Sequence, residues 1–167
     1  MDDQAKKTAL RMIPYGIYVM TAKGADGALT AATVNWVTQT AFAPPLIVVG
    51  VKTDSGSYAA VKASKQFTLN VLGKGQQGAA FAFFKPAVDE DGKLSGEAYH
   101  AGANGLPILD SAPGALECAV REIVELGDHH IVVAEVTEAH VQKAPAGRAD
   151  EAVLEMKELG EKVFYGG

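Results

Sequence analysis

The chain has 167 residues, 48% of them hydrophobic and 21% charged, which predicts one globular domain over residues 1–167 and excludes a disordered chain. Its formal net charge of −5 argues against nucleic acid or an anionic membrane as a partner. The single cysteine, Cys118, excludes an intrachain disulfide and a cysteine zinc site. Residues 1–7 are charged and lack an apolar signal segment, and no apolar run approaches the roughly 20 residues of a membrane helix. A cytoplasmic protein is therefore expected.

The first elements are a short helix and a β-hairpin. Residues 2–13 combine two leading aspartates with apolar positions at helical spacing, and Pro14 follows them, which predicts an amphipathic helix that ends there. Residues 17–22 have the composition of a strand, and the turn at 25–27 leads into a second strand from Leu29.

The stretch 31–51 is the most informative part of the chain. It begins with small and polar residues, crosses Pro44 and Pro45, and ends in the apolar run 46–51, which predicts a strand covered on both faces. Neutral hydrogen-bonding side chains beside the flat ring of Trp36 suit a planar ligand with polar edges. They are Thr33, Asn35, Thr38, Gln39 and Thr40. The alternative is a structural strand pair whose polar residues face solvent.

The segment 52–57 has the composition of an anion site. It follows the apolar strand and offers Lys52, the hydroxyls of Ser55 and Ser57, and backbone N–H groups ahead of a helical pattern that starts at Tyr58. A helix N-terminus with these donors binds phosphate well. Simple capping of the helix by one of the serines is the alternative.

Residues 73–78 match the glycine pattern G-x-G-x-x-G between the strand-like run 66–72 and an apolar helix at 79–84. A dinucleotide-binding βαβ unit needs a second strand after that helix, which ends in an acidic residue roughly 20 positions further on. Here the chain runs instead into an acidic loop at 88–92. The motif is therefore interpreted as a glycine-rich connection between a strand and a helix.

The second half of the chain is dominated by strands. Residues 97–105 are rich in glycine and weakly patterned, whereas 114–126 and 129–141 are long β-rich runs joined by a Gly-Asp turn, a strong hairpin signal. Two short strands are predicted at 153–156 and 163–165. Many strands, few helices and regular turns predict a mainly β fold, an antiparallel barrel.

Side chains suited to catalysis are sparse. His129 and His130 are neighbours on a strand and so point to opposite faces, which argues against a shared metal ion. Cys118 lies within a strand pattern, where a buried, unreactive thiol is expected. The acidic residues 89–91 are interpreted as a solvated turn. No set of side chains is suited to covalent catalysis by the protein itself, so any reaction requires a cofactor.

The order of these features resembles the flavin reductase-like family of FMN-binding split-barrel proteins. The resemblance covers nearly the whole chain and rests on five segments in order rather than on one specific motif. They are residues 14–21 (PYGIYVMT), 33–36 (TVNW) with the following Pro44-Pro45, 67–72 (FTLNVL), 127–129 (GDH) with the strand 131–136, and 163–167 (VFYGG).

The resemblance implies a homodimeric split barrel of antiparallel Greek-key type that binds FMN, with FAD as the alternative, near the dimer interface. By position, the isoalloxazine would lie against the backbone of Thr33, Val34, Asn35 and Trp36, with its polar edge near Gln39 and Thr40. The phosphate would be bound by Lys52, Ser55 and Ser57. His129 would be the catalytic residue beside flavin and nicotinamide. The residues that cover the ring would be Phe84 and Tyr165.

The implied activity is that of an NAD(P)H:flavin oxidoreductase, in which hydride passes from nicotinamide C4 to flavin N5 and the reduced flavin goes to a partner oxygenase. Two alternatives stay open. One is an electron-transfer flavoprotein that retains its FMN and reduces a small redox protein, and the other is a flavin-binding module without turnover. Many family reductases have serines where this chain has Gln39 and Ala41, and electron-transfer members often have the glutamine. That departure argues against a freely diffusing flavin product.

Overall fold

The computed structural model describes all 167 residues and contains three α-helices and eleven β-strands. The α-helices are α1 (Asp3–Arg11), α2 (Gly56–Ser64) and α3 (Gln77–Ala82). The strands are β1 (Tyr18–Lys23), β2 (Leu29–Val34), β3 (Val37–Ala41), β4 (Leu46–Lys52), β5 (Gln66–Val71), β6 (Asp89–Glu90), β7 (Lys93–Leu94), β8 (Glu97–Ala101), β9 (Pro107–Leu109), β10 (Gly114–Val124) and β11 (His129–Val141). Two 3₁₀ helices, Ala149–Glu151 and Met156–Leu159, follow. None of the helices combines the length and the apolar content needed to cross a membrane.

Seven strands form one antiparallel sheet in the order β2-β1-β5-β10-β11-β4-β3. Its edge strands, β2 and β3, are joined directly through Asn35 and Trp36, so the sheet curls on itself into a half-barrel. The long β10–β11 hairpin turns at Gly127 and Asp128, as predicted, and the register places His129 opposite Lys52 of β4. The predicted antiparallel barrel is confirmed, in an open form.

The main hydrophobic core lies in the curve of this sheet. Alternation along β4 buries Ile47, Val49 and Val51 on one face, whereas Leu46 and Val48 on the other face are half-buried within the single chain. Full burial of each such side chain stabilises the fold by about 1.5–3 kcal/mol. The helix α2 closes the core with Tyr58, Ala60 and Val61.

A second sheet of four short strands, β6-β7-β8-β9, was not predicted. Two-residue turns link its first three strands, and both residues of each turn have positive φ: Asp91 (52°) with Gly92 (72°), and Ser95 (49°) with Gly96 (88°). This geometry suits tight hairpins, so turn chemistry rather than hydrophobic alternation sets the register. The acidic residues 89–91 are exposed, as the sequence predicted.

The predicted strands at 153–156 and 163–165 are wrong. Residues 153 and 155 form only isolated bridges, to Gly73 and Gly16, and no strand follows at 163–165. Glu155 and Glu158 form a reciprocal capping box that starts the 3₁₀ helix, which favours a helical turn over a hairpin. The Leu154 carbonyl accepts from the N–H of Ile17, just before β1, and the Leu154 N–H donates to the carbonyl of Leu72, just after β5.

The glycine pattern at 73–78 is a connection from β5 to α3, as interpreted from the sequence. Local contacts form this turn: the Gln76 Oε1 accepts a hydrogen bond from the Gly73 N–H at 2.6 Å, and Gly75 has a φ of 86°. The helix that follows has six residues, and the next strand belongs to the second sheet rather than to a parallel βαβ unit.

Candidate functional site

A cavity of about 360 Å³ lies at the end of the half-barrel where β2 gives way to β3. Its walls come from the end of β2, the end of β4, the start of β11, the residues after α3 and the segment 156–165. Eleven of its seventeen lining residues are hydrophobic, which suits an apolar ligand held by a few polar groups. The sequence-predicted residues that line it are Thr33, Val34, Asn35, Lys52, Ser55, Phe84, His129 and Tyr165.

The polar groups at the end of β2 are bonded to other parts of the protein. The Thr33 hydroxyl donates to the Ala80 carbonyl at 2.6 Å, and the Thr33 N–H donates to the Phe83 carbonyl at 3.2 Å. The buried Asn35 donates from Nδ2 to the Tyr165 carbonyl at 2.9 Å. These polar side chains therefore hold α3 and the last segment of the chain around the cavity.

Trp36 stands behind the cavity and supports two of its residues. It packs at 4.6 Å from the His129 ring and 5.5 Å from the Tyr165 ring, measured between centroids. It also lies on Gly50, where an added Cβ would come within 3.1 Å of Trp36 Cε3. The indole N–H is buried without a hydrogen-bond partner.

His129 is held at both ring nitrogens. Its Nδ1 lies 2.9 Å from Asp128 Oδ1 and its Nε2 lies 2.7 Å from the Tyr165 hydroxyl. The hydrogen bond and charge of His129 lower the pKa of Asp128, and burial raises the pKa of the Tyr165 hydroxyl. His130 points to the opposite face, as predicted, with Nδ1 2.5 Å from the Tyr58 hydroxyl.

The four histidines thus have four separate environments, since His100 contacts Asp110 and His140 contacts the buried Glu117. No group of three or more His, Cys, Asp or Glu side chains is arranged to hold a metal ion.

One end of the cavity is formed by β4 and α2. Ser55 is the N-cap of α2: its Oγ accepts from the Tyr58 N–H at 3.1 Å and donates to the Lys52 carbonyl at 2.7 Å. The Lys52 ammonium lies 3.1 Å from the Asp54 carboxylate, whose hydrogen bond and charge raise the pKa of Lys52. N–H groups in the first turn of a helix have no partner within the helix, so this end offers hydrogen-bond donors and a cation.

Four predicted residues do not line this cavity, and one of them is Trp36, which stands behind it. Gln39 and Thr40 are exposed on β3, where the Gln39 amide donates to the Ala41 carbonyl at 3.0 Å. Ser57 is buried in the first turn of α2. No residue of β3 lines the cavity, because the antiparallel register places Gln39 opposite Ile47, away from the end of β4 that lines it.

Sequence reasoning missed most of the apolar wall and one of the two partners of His129, Asp128. The missed apolar residues are Ile17, Ala32, Val51, Phe83, Met156, Leu159, Val163 and Phe164. Asp128 was identified as a turn residue only. The close approach of another group to Gly50 could have been predicted, because a glycine that interrupts an apolar strand often marks such an approach.

Comparison with known proteins identifies one family. Residues 10–154 match the family model described as flavin reductase like domain. A flavin reductase of Pseudomonas putida is 31% identical over 142 residues, which cover 85% of this chain and 82% of that protein. The reductase component of 4-nitrophenol 4-monooxygenase/4-nitrocatechol 2-monooxygenase from Rhodococcus opacus is 36% identical over 124 residues, 74% of this chain and 64% of that protein.

Solved structures agree with the sequence comparison. The NADH:FAD oxidoreductase of Streptomyces globisporus C-1027, in complex with NAD and FAD fragments, superposes with a TM-score of 0.69 at 31% identity, over 77% of this chain and 76% of that chain. Some relatives are longer, and this chain spans only 43% of a probable flavin reductase from Rhizobium meliloti (strain 1021), to which it is 29% identical. Since the family model covers most of the chain, this protein belongs to the flavin reductase-like family.

Proposed function

We propose that this chain is an NAD(P)H:flavin oxidoreductase that uses FMN and supplies reduced flavin to a partner oxygenase. The observation that carries this proposal is one cavity bounded by the end of β2, by His129 and by Ser55, the N-cap of α2. The names of the relatives, a flavin reductase and a monooxygenase reductase component, support the same activity and the same kind of partner.

The chemistry of the cavity fits a flavin. An isoalloxazine ring is flat, with apolar faces and polar edges, and the cavity combines eleven hydrophobic lining residues with a smaller number of polar ones. Lys52, Ser55 and the first turn of α2 would hold the phosphate, because a helix N-terminus stabilises an anion. Asp54 would have to release Lys52, since a carboxylate beside the phosphate repels it.

Bound flavin would supply the hydride acceptor, and the protein would supply position. His129 would orient the nicotinamide, since its imidazole lines the cavity and is backed by Trp36. Phe84 and Tyr165 would cover the ring and exclude water. Orientation of this kind accounts for a large part of the rate enhancement when two reactants meet in one site.

We further propose a homodimer in the cytoplasm. The rim of the cavity is open beside Phe84 and Phe164, which are 54% and 52% exposed within one chain, and a second copy would cover it. A reaction that consumes reduced nicotinamide fits a cytoplasmic protein.

The test is steady-state oxidation of NADH and of NADPH by the purified protein with added FMN, FAD or riboflavin. We expect nicotinamide oxidation to rise and saturate with added FMN. A protein that retains FMN through gel filtration and does not respond to added flavin would instead be an electron-transfer flavoprotein. Flavin binding without any nicotinamide oxidation would contradict the proposed enzyme and leave a binding module.

A further inference from the structure

We propose that Tyr165 is a positioning residue, which holds the His129 imidazole in one orientation and one tautomer at the wall of the cavity. The role assigned to His129 in the reaction rests on the proposed function. The hydrogen-bond arrangement itself does not, because it is a property of the protein without flavin or nicotinamide.

The tautomer follows from what each partner of His129 can donate or accept. The Asp128 carboxylate only accepts, so His129 Nδ1, at 2.9 Å, carries the hydrogen. In the neutral ring Nε2 then has a lone pair, and the Tyr165 hydroxyl at 2.7 Å donates to it. When the imidazole gains a proton, Nε2–H donates instead and the hydroxyl rotates to accept. A phenol oxygen serves both states, which an apolar side chain could not do.

The two contacts have different roles. The Asp128 carboxylate selects the tautomer, and the Tyr165 hydroxyl fixes the ring orientation that keeps Nδ1 beside Asp128, so that loss of the hydroxyl also loosens the tautomer. The Asp128 side chain is 91% exposed, and solvent screens its interaction with the ring. The His129 side chain is only 12% exposed, and burial raises the pKa of the Tyr165 hydroxyl, which keeps it protonated and able to donate at neutral pH. The inner contact therefore sets the orientation of the ring.

Tyr165 is itself held by its backbone, so its hydroxyl is presented from a fixed point. The buried Asn35 amide donates to the Tyr165 carbonyl at 2.9 Å. Trp36 packs against both the His129 and the Tyr165 rings. Without the hydroxyl, the imidazole would lose its inner partner while the aromatic ring of residue 165 would still cover the cavity.

The first test reads the tautomer directly, in protein without flavin or nicotinamide. Long-range ¹H–¹⁵N NMR of ¹⁵N-histidine-labelled protein, at a pH where neutral imidazole dominates, should show His129 with hydrogen on Nδ1. The His129→Asn variant assigns the signal among the four histidines. Tyr165→Phe should convert this signal to a mixture that contains the Nε2–H form. A wild-type Nε2–H form, or a signal unchanged in Tyr165→Phe, would overturn the proposal.

The matched control is Tyr99→Phe, which removes another tyrosine hydroxyl, one that donates to Asp89 at 3.1 Å in the second sheet and belongs to a residue that does not line the cavity. It should leave the His129 signal unchanged. An equal change in both variants would mean that the tautomer responds to general loosening of the fold, which also overturns the proposal.

The second test separates positioning from binding. In stopped flow, Tyr165→Phe should lower the rate constant of hydride transfer from NADH about 10-fold, in line with the cost of a misplaced reacting group. The dissociation constant for FMN should change by less than about 2-fold, since the ring is kept. A loss of FMN affinity with an unchanged hydride-transfer rate would show that Tyr165 binds flavin and does not position His129. If no variant and no wild-type protein oxidised NADH, the proposed function would fail while the NMR result would still decide the role of Tyr165.

Discussion

Ser55 caps a helix, one of the two alternatives that the sequence left open, and its proposed role in phosphate binding stays a prediction. Its hydroxyl caps α2, and it also lines the cavity at the end where a phosphate would lie. An alanine substitution would confound the two roles, because loss of an N-cap by itself costs about 1 kcal/mol of stability. A residue that keeps the cap but repels an anion separates them.

The substitution Ser55→Asp introduces such a residue. Aspartate caps a helix as well as serine, so we expect the free energy of unfolding to stay within about 0.5 kcal/mol of wild type. FMN affinity should fall by about 2 kcal/mol, because a carboxylate would face the phosphate. Riboflavin, which has no phosphate, should bind as before. Fluorescence titration with both flavins checks this, and an equal loss for riboflavin would place the phosphate elsewhere.

Cys118 is expected to be unreactive in the folded protein. Burial, with a smaller contribution from the Glu117 charge, raises the pKa of the thiol to about 12. The unfolded chain loses that proton above about pH 8.5, so the stabilising contribution of the protonated thiol is complete below that pH and is lost as the pH rises towards 12. A disulfide reagent at about pH 8 should label Cys118 only after unfolding in urea. Rapid labelling of native protein would contradict the burial.

Among the elements, β10 joins the two sheets through one buried carboxylate. Glu117 accepts hydrogen bonds from the N–H groups of Ala103 and Asn104, at 3.0 and 2.6 Å, and contacts His140 Nε2 at 2.7 Å. Burial alone would raise the pKa of Glu117, but these donors outweigh it and lower the pKa. The loop between β8 and β9 is thereby tied to the main sheet.

Glu117→Gln should lower the free energy of unfolding by about 2–3 kcal/mol, because an amide nitrogen would face these donors. A lowered folded-state pKa means that the carboxylate stabilises the fold above its unfolded pKa, about 4.3, and that this contribution is lost as the pH falls below it. Urea unfolding should therefore show that the free energy of unfolding falls less between neutral and acid pH in Glu117→Gln than in the wild type. Glu122→Gln, at an exposed position of the same strand, should change stability by less than about 0.5 kcal/mol.

The strand β4 positions the aromatic residues behind the cavity through Gly50. Gly50→Val would push Trp36 away from its present position, since even a Cβ would lie 3.1 Å from Cε3 and 3.2 Å from Cβ of that residue. We expect a loss of about 1–3 kcal/mol of stability and a changed emission from the single tryptophan. In contrast, Gly78→Ala in α3, where a Cβ meets nothing within 4 Å, should stabilise the protein by about 0.5–1 kcal/mol. Unchanged emission in Gly50→Val would show that Trp36 has room to accommodate the side chain.

For the whole molecule, large apolar side chains remain exposed in the single chain: Phe84 and Phe164 line the cavity, and Ile13 and Phe164 line an adjoining groove. No residue of α1 is buried, and Leu10 and Ile13 lie exposed, as do Phe84 and Phe164. Contiguous apolar surface of this kind marks protein interfaces.

The homodimer is tested by sedimentation. We expect a mass twice the 17.4 kDa of one chain, and an unfolding midpoint that rises with protein concentration, because a dimer is stabilised by mass action. A single-chain mass at all concentrations, with a midpoint that does not depend on concentration, would contradict it.

The sequence by itself determined those features that depend on local patterns. Strand alternation and the Gly127-Asp128 turn predicted the β10–β11 hairpin, and the same alternation predicted that His129 and His130 face opposite sides. Ser55 was a correct N-cap candidate, because capping involves residues only three apart. The order of short motifs along the chain was sufficient to predict the family.

Only the tertiary structure decided which side chains meet. Tyr165 contacts His129 across 36 positions of sequence, and Asn35 contacts Tyr165 across 130, and no local pattern encodes such pairs. Gln39, the residue that departs from the pattern of many family reductases, lies outside the cavity of its own chain, which its position in the sequence did not show. The final segment reads as strands from its apolar residues, but its capping box and its bonds to Ile17 and Leu72 give it another structure. Chain packing, rather than residue propensity, brings these groups together.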